Sequence, residues 1–175
     1  MRILVTGGVR SGKSTHAEEL IGGAPATYVA TGTPPDRDQD PDWAARIDAH
    51  RGRRPASWGT VETQDLAGVL ARAGDPLLVD CLGTWLTAII DAENAWEKDS
   101  DAVHDLVLAR TDEVVAALAR CEQDVVLVTN EVGLGIVPEH RSGRLFRDLL
   151  GIVNQRVAAA CDEVHLVVAG RVLRL

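Results

Sequence analysis

Gly7-Gly8-Val9-Arg10-Ser11-Gly12-Lys13-Ser14 has the G-x-x-x-x-G-K-S spacing that chemistry on phosphate calls for. Its glycines let the main chain curl until successive N–H groups face phosphate oxygens, the helix beyond contributes its positive N-terminal end, and Lys13 adds a mobile cation. The Ser14 hydroxyl is then placed to ligate Mg²⁺ beside those phosphates. A strand-like run, Arg2-Ile3-Leu4-Val5-Thr6, precedes the loop, and a helix expected over residues 13–21 follows it and stops at Gly22-Gly23. Strand, loop and helix in that order separate a P-loop from a chance glycine-rich turn. Lysine is otherwise scarce in the chain, Lys98 being the only other one.

An acidic partner for the metal is expected at the end of a neighbouring strand. Asp80 closes the apolar run Leu77-Leu78-Val79-Asp80 and suits Mg²⁺, directly or through water; the same carboxylate would also serve to cap the next helix. Asp80-Cys81-Leu82-Gly83 spells the D-x-x-G element of regulatory GTPases, but no N-K-x-D guanine clamp accompanies it. Arg46 to Arg54 (RIDAHRGRR) gathers four arginines around His50 in a chain of net charge −8. Such a patch attracts anions, phosphate above all. His50 is then either an exposed helix-end histidine favoured by the macrodipole or a nucleophile. A neutral imidazole can attack phosphorus held by arginines, and the phosphoramidate so formed transfers its group once protonated.

Positioning these groups takes an alternation of strands and helices. Strands are expected at 26–30, 57–63, 77–80, 124–129 and 164–169, with a short edge strand at 171–175; helices are expected at 42–50, 65–73, 82–90, 101–121 and 142–160. That alternation implies a mainly parallel sheet with helices on both faces, the α/β P-loop (RecA-like) class, in one domain spanning 1–175. The acidic balance argues against nucleic acid as a partner, and no apolar run reaches the roughly 20 residues of a membrane span. A cytoplasmic protein is expected. Cys81, Cys121 and Cys161 lie far apart without zinc-ligand spacing and read as reduced thiols.

Several blocks, taken in order, resemble the bifunctional adenosylcobinamide kinase / adenosylcobinamide-phosphate guanylyltransferase family of cobalamin biosynthesis. They are ILVTGGVRSGKSTHAEEL, AARIDAHRGRRPASWGTVE, LLVDCL and TNEVGLGIVPEHRSGRLFRDLLGIVNQRVAAACDEVHLVVAG, reaching from the first residues nearly to the last. The resemblance implies phosphorylation of adenosylcobinamide by ATP or GTP, then transfer of GMP from GTP to the new phosphate with release of pyrophosphate. It aligns His50 with the guanylylated histidine, Arg51, Gly52, Arg53 and Arg54 with a GTP-binding stretch, Thr31, Gly32 and Thr33 with a nucleotide-contacting loop, and Glu62 with a nucleotide-contacting glutamate. Asp80 takes a position where relatives can carry glutamate. The loop TPPDRDQDPD, residues 33–42, is longer and more acidic than the family pattern. A homo-oligomer, a trimer, is implied as well.

Glu131, just past a strand end, suits either the kinase reaction or the holding of the Gly133 loop. Arg141, Arg144 and Arg147 share roughly one helix face and could reach a neighbouring subunit or phosphate; a solvated face is the expectation. His16 and His104 are assigned no role. Two other functions compete: a small-molecule kinase without nucleotidyl transfer, and a non-catalytic nucleotide-binding regulator that orders a loop on binding. The missing guanine clamp and the arginine–histidine cluster speak against the regulator.

Overall fold

The computed structural model describes residues 1–32, 45, 52 and 54–175. Thr33, His50, Arg51, Arg53 and nearly all of the helix expected at 42–50 lie outside the described residues. Within them the order is β1 (Arg2–Gly7), α1 (Lys13–Ile21), β2 (Thr27–Ala30), β3 (Gly59–Glu62), α2 (Leu66–Ala71), β4 (Leu77–Asp80), α3 (Leu82–Ala92), α4 (Ser100–Arg120), β5 (Val125–Val128), α5 (Arg141–Ala159), β6 (Glu163–Val168) and β7 (Arg171–Arg174). The ends differ from the expected ones by only a residue or two, as helix fraying and strand ends allow.

The strands form one sheet in the order β3-β2-β4-β5-β1-β6-β7. Every pair is parallel except β6–β7, so the α/β P-loop class expected from the alternation is the one found. Strands covered on both faces read as unbroken apolar runs, and Leu77-Leu78-Val79 and Val125 to Val128 are accordingly almost wholly buried. On one face α1 and Trp58 cover Ile3, Val5, Tyr28, Leu78 and Val128. On the other, α2, α3, α4 and α5 pack over Leu4, Val29, Val79 and Leu127. Trp85 and Leu86 of α3 are fully enclosed there, which explains why that helix is apolar nearly all round.

Side-chain caps set the helix starts: Asp65 accepts the Gly68 amide at 2.8 Å before α2, and Asp99 accepts the Asp101 amide at 3.0 Å before α4. Positive φ at both Ala169 (50°) and Gly170 (73°) makes the two-residue turn that matches the twist of an antiparallel hairpin, and so β7 folds back on β6. Among the described residues no helix is long and apolar enough to cross a membrane. All three cysteines are free. Burial, then the neighbouring Asp162, pushes the Cys161 thiol up to about 12, and burial followed by Asp80 raises that of Cys81, so both stay protonated and unreactive.

Candidate active site

The phosphate loop leaves β1 between two close supports. A Cβ on Gly7 would lie 2.5 Å from the Val167 carbonyl oxygen and 2.6 Å from Ser11 Oγ, so only glycine fits the gap between β6 and the loop's own return. At the far end Gly12 has φ 98°, in the left-handed region, and rests on the β6–β7 turn with Gly170 Cα 3.4 Å from where a Cβ would stand. The Gly170 amide ties this contact by donating to the Ser11 carbonyl at 2.8 Å. Lys13 reaches back to donate to the Gly8 carbonyl at 3.2 Å, folding its ammonium over the loop. Val9 and Arg10 face solvent, Arg10 at φ 56°. The buried hydroxyls of Thr6 and Ser11 have no hydrogen-bond partner among the described residues, a cost that ligand oxygens at the loop can offset.

Register places the remaining expected groups along the same edge. Val5 pairs with Val128, Val128 with Asp80, Asp80 with Ala30, and Ala30 with Glu62, so one row crosses the carboxyl ends of β1, β5, β4, β2 and β3. At about 4.8 Å per strand, Asp80 stands roughly 10 Å and Glu62 roughly 19 Å along the sheet from the P-loop strand. Asp80 projects to the α1 side, the side of Ser14, because it shares a face with Leu78 and Tyr28.

Tyr28, the single tyrosine, is the residue that sequence reasoning missed here. Its hydroxyl hydrogen-bonds Asp80; burial first, and the Asp80 charge second, hold its pKa well above the usual phenol value, so it remains a donor. The Arg54 guanidinium lies over the Tyr28 ring, 3.6 Å from its centroid, and donates to Thr60 Oγ1 at 3.0 Å. The end of the arginine-rich segment is thereby joined to Asp80 through one aromatic ring. A lone aromatic two positions before a strand's end was the available signal.

The Thr31 side chain is turned inward. It is fully buried, with the hydroxyl donating to the Cys81 carbonyl at 2.7 Å and 2.8 Å from Thr84 Oγ1. It fastens β2 to the start of α3, and Gly32 beyond it is partly exposed. Gly52 is exposed. Glu131 follows the structural alternative: its carboxylate accepts the Gly133 amide at 2.6 Å, while its own amide donates to the Gly7 carbonyl at 3.0 Å.

The three arginines of α5 are not merely solvated. Arg141 donates to the carbonyls of Trp96 and Lys98, Arg144 to those of Pro138 and Glu139, and Arg147 to those of Gly133 and Gly135. Cations in the first two turns of a helix oppose its dipole, and α5 has no acidic residue in its first turn. That local mismatch is the sequence signal of a second task for them.

Behind this edge, His16 Nε2 lies 2.9 Å from His165 Nδ1, and His165 Nε2 lies 2.8 Å from the Glu163 carboxylate. A carboxylate only accepts, so with both rings neutral His165 donates from Nε2 and receives from His16. The chain ties α1 to β6 one turn beyond Lys13.

Comparison with known proteins adds a family to this geometry. The model of a family described as cobinamide kinase / cobinamide phosphate guanyltransferase matches residues 3–175. A bifunctional adenosylcobalamin biosynthesis protein CobU of Salmonella typhimurium is 48% identical, covering 97% of this chain and 97% of its own length. Its namesake from Escherichia coli is 45% identical over the same shares. The bifunctional adenosylcobalamin biosynthesis protein CobP of Pseudomonas aeruginosa is 37% identical, covering 97% of this chain and 94% of that protein.

Proposed function

The chain belongs to the cobinamide kinase / cobinamide phosphate guanyltransferase family, and from that premise we propose that the P-loop edge carries out both reactions of a bifunctional enzyme, on adenosylcobinamide with ATP or GTP. In the first, the acceptor hydroxyl attacks the γ-phosphorus, the bond to the bridging oxygen breaks, and the nucleoside diphosphate leaves. In the second, a ring nitrogen of His50 attacks the α-phosphorus of GTP and pyrophosphate leaves. The phosphate of the first product then attacks the same phosphorus, the N–P bond breaks, and His50 is released with adenosylcobinamide-GDP as product.

The observation that carries this reading is the shared row: a glycine-shaped anion cradle at β1, a carboxylate at β4 and a second carboxylate at the edge strand, all on one sheet edge. A triphosphate gripped at Gly7 to Ser14 would have its phosphates along this edge, within the row that carries the two carboxylates. Loop amides and Lys13 hold transferring phosphoryl in one reaction and departing pyrophosphate in the other, where their value is greatest because they are fixed before charge develops. Arg51, Arg53 and Arg54 flank His50 in sequence and neutralise the attacked phosphate, Arg54 being anchored on Tyr28. Gly32 and Gly52 let the chain pass close to the nucleotide. Glu62 accepts from the guanine N1–H and amino group, replacing the absent N-K-x-D clamp; Glu62→Ala then lowers the preference for GTP over ATP.

Among the described residues no cluster of three or more His, Cys, Asp or Glu could hold a metal ion by itself. Mg²⁺ takes one or two protein oxygens and completes its shell with phosphate and water. Ser14 and Asp80 would hold it, and it supplies charge neutralisation on the phosphates. We take residues 1–175 as one catalytic domain, working in the cytoplasm as a homo-oligomer, a trimer.

The test supplies adenosylcobinamide, γ-labelled ATP and unlabelled GTP together. Labelled adenosylcobinamide phosphate should appear first and be consumed into labelled adenosylcobinamide-GDP. Accumulation of the first product alone would identify a kinase without nucleotidyl transfer.

A further inference from the structure

The loop that follows β5, residues 131–140 (EVGLGIVPEH), exposes Leu134 by 87%, Ile136 by 96% and Val137 by 63%. Single exposed aliphatic residues are common on a surface, but three within four positions of one ordered loop make a contiguous patch, the arrangement that marks a binding surface. This loop is not slack. Its main chain is held from within, by Glu131 on the Gly133 amide at 2.6 Å, by Arg147 on the Gly133 and Gly135 carbonyls at 2.9 and 3.0 Å, and by Arg144 on the Pro138 carbonyl at 3.1 Å. These guanidinium groups are used on carbonyl oxygens, so what the loop offers outward is apolar rather than cationic.

Its position narrows what can occupy it. The loop leaves the strand next to β1 at the same edge, and the Glu131 amide donates to the Gly7 carbonyl at 3.0 Å, where the phosphate loop begins. The acceptor of both reactions must bring its hydroxyl, later its phosphate, to that edge. Cobinamide is a broad ring rimmed by methyl and amide groups, too large to enter the P-loop and apolar enough to prefer aliphatic contact. Three side chains also make a patch well below the roughly 800 Å² per partner of a standard protein interface.

We propose that Leu134, Ile136 and Val137 form the platform for the corrin ring of the acceptor, and that Arg144 and Arg147 are positioning residues that hold this platform at the height of the P-loop. The assignment rests on the family reaction and concerns specificity for the acceptor alone. GTP binding and guanylylation of the enzyme are carried by other groups, the P-loop, His50 and the carboxylates of β4 and β3.

Ile136→Asn and Leu134→Asn, with Ile136→Leu as the conservative variant, test it on the full chain. Adenosylcobinamide binding is measured by equilibrium dialysis, read from its visible absorbance, alongside KM for adenosylcobinamide and for GTP and the mass of the assembly. Each Asn variant is expected to raise the acceptor Kd and KM about tenfold, as loss of one buried aliphatic contact does, with the GTP KM and the mass unchanged; Ile136→Leu stays within about twofold of the parent. An unchanged acceptor Kd overturns the proposal, as does a rise that accompanies a fall in mass, which would make the loop a contact between copies. Because dialysis does not require turnover, a parent protein that binds adenosylcobinamide through this loop yet transfers nothing would sink the proposed function and leave the platform standing.

Discussion

Two loops leave adjacent strands, β1 and β5, at one sheet edge and are held by opposite means. Residues 8–12 are shaped by the main chain: Gly7 fits because a Cβ would strike the Val167 carbonyl, and Gly12 takes a φ of 98° that L side chains resist. Residues 131–140 are shaped by side chains, the guanidinium groups of Arg144 and Arg147 and the carboxylate of Glu131 reaching in to main-chain atoms. The first construction aims amides at an anion and leaves no side chain in the way. The second uses polar side chains internally and turns Leu134, Ile136 and Val137 outward. An edge that must hold a highly charged donor beside a bulky, weakly polar acceptor needs both.

If the division is real, damage to each loop separates in the kinetics. The largest effect is expected at Lys13→Ala, which should lower both phosphorylation and protein guanylylation by about 100- to 1,000-fold, as removal of one fixed transition-state donor does, while acceptor binding by dialysis is unaffected. A drop in only one of the two activities would mean that they do not share the loop. Arg147→Ala comes next. Freeing the Gly133 and Gly135 carbonyls should cost about 1 to 2 kcal/mol of loop order, seen as faster amide exchange over residues 133–137 and a several-fold rise in the acceptor KM at constant GTP KM. Equal rises in both constants would erase the distinction between the loops.

Tyr28→Phe should act only on the phosphate side. Removing the hydroxyl that donates to Asp80 is expected to shift the Mg²⁺ concentration for half-maximal kinase activity by about fivefold, near 1 kcal/mol, with no change in acceptor Kd. No shift in the Mg²⁺ titration would remove Asp80 from the metal site or Tyr28 from its support.

The smallest effect concerns the histidine pair behind the P-loop. Burial first, and His165 second, hold the His16 pKa below its ordinary 6.5. The unfolded chain therefore binds the extra proton more readily, and the stability that His16 confers is complete above 6.5 and declines as pH falls below it. Urea midpoints at about pH 7.5 and about pH 5.5 should differ more for the parent than for His16→Gln. The low pKa of Glu163, caused first by its hydrogen bond from His165, acts only at more acidic pH, below 4.5, and leaves this window unaffected.

The sequence was most informative where one residue type has one conformational use. Glycine at both ends of the P-loop, apolar four-residue strands and a carboxylate at a strand end were legible because each follows from local geometry or burial pattern. The inward bond of Thr31 was not legible, because nothing local distinguishes a hydroxyl facing a ligand from one that donates to the Cys81 carbonyl across the sheet. Arg141, Arg144 and Arg147 were given to solvent because a carbonyl such as that of Trp96, 45 residues away in sequence, is invisible to helical spacing. The support of Gly12 by Gly170 was likewise unreadable, since β7 was expected only as a short edge strand and its turn meets the P-loop only in the folded sheet.

One measurement bears most directly on the claim that the P-loop and His50 make a single two-reaction site. The protein is incubated with GTP labelled at the α-phosphate, without acceptor, and bound label is tested for acid lability and hydroxylamine sensitivity and mapped by peptide. An acid-labile adduct on His50, absent from both His50→Ala and Lys13→Ala and discharged onto adenosylcobinamide phosphate when that is added, is the predicted result. Label that persists in His50→Ala, or a parent protein that phosphorylates adenosylcobinamide without ever acquiring label, would contradict it.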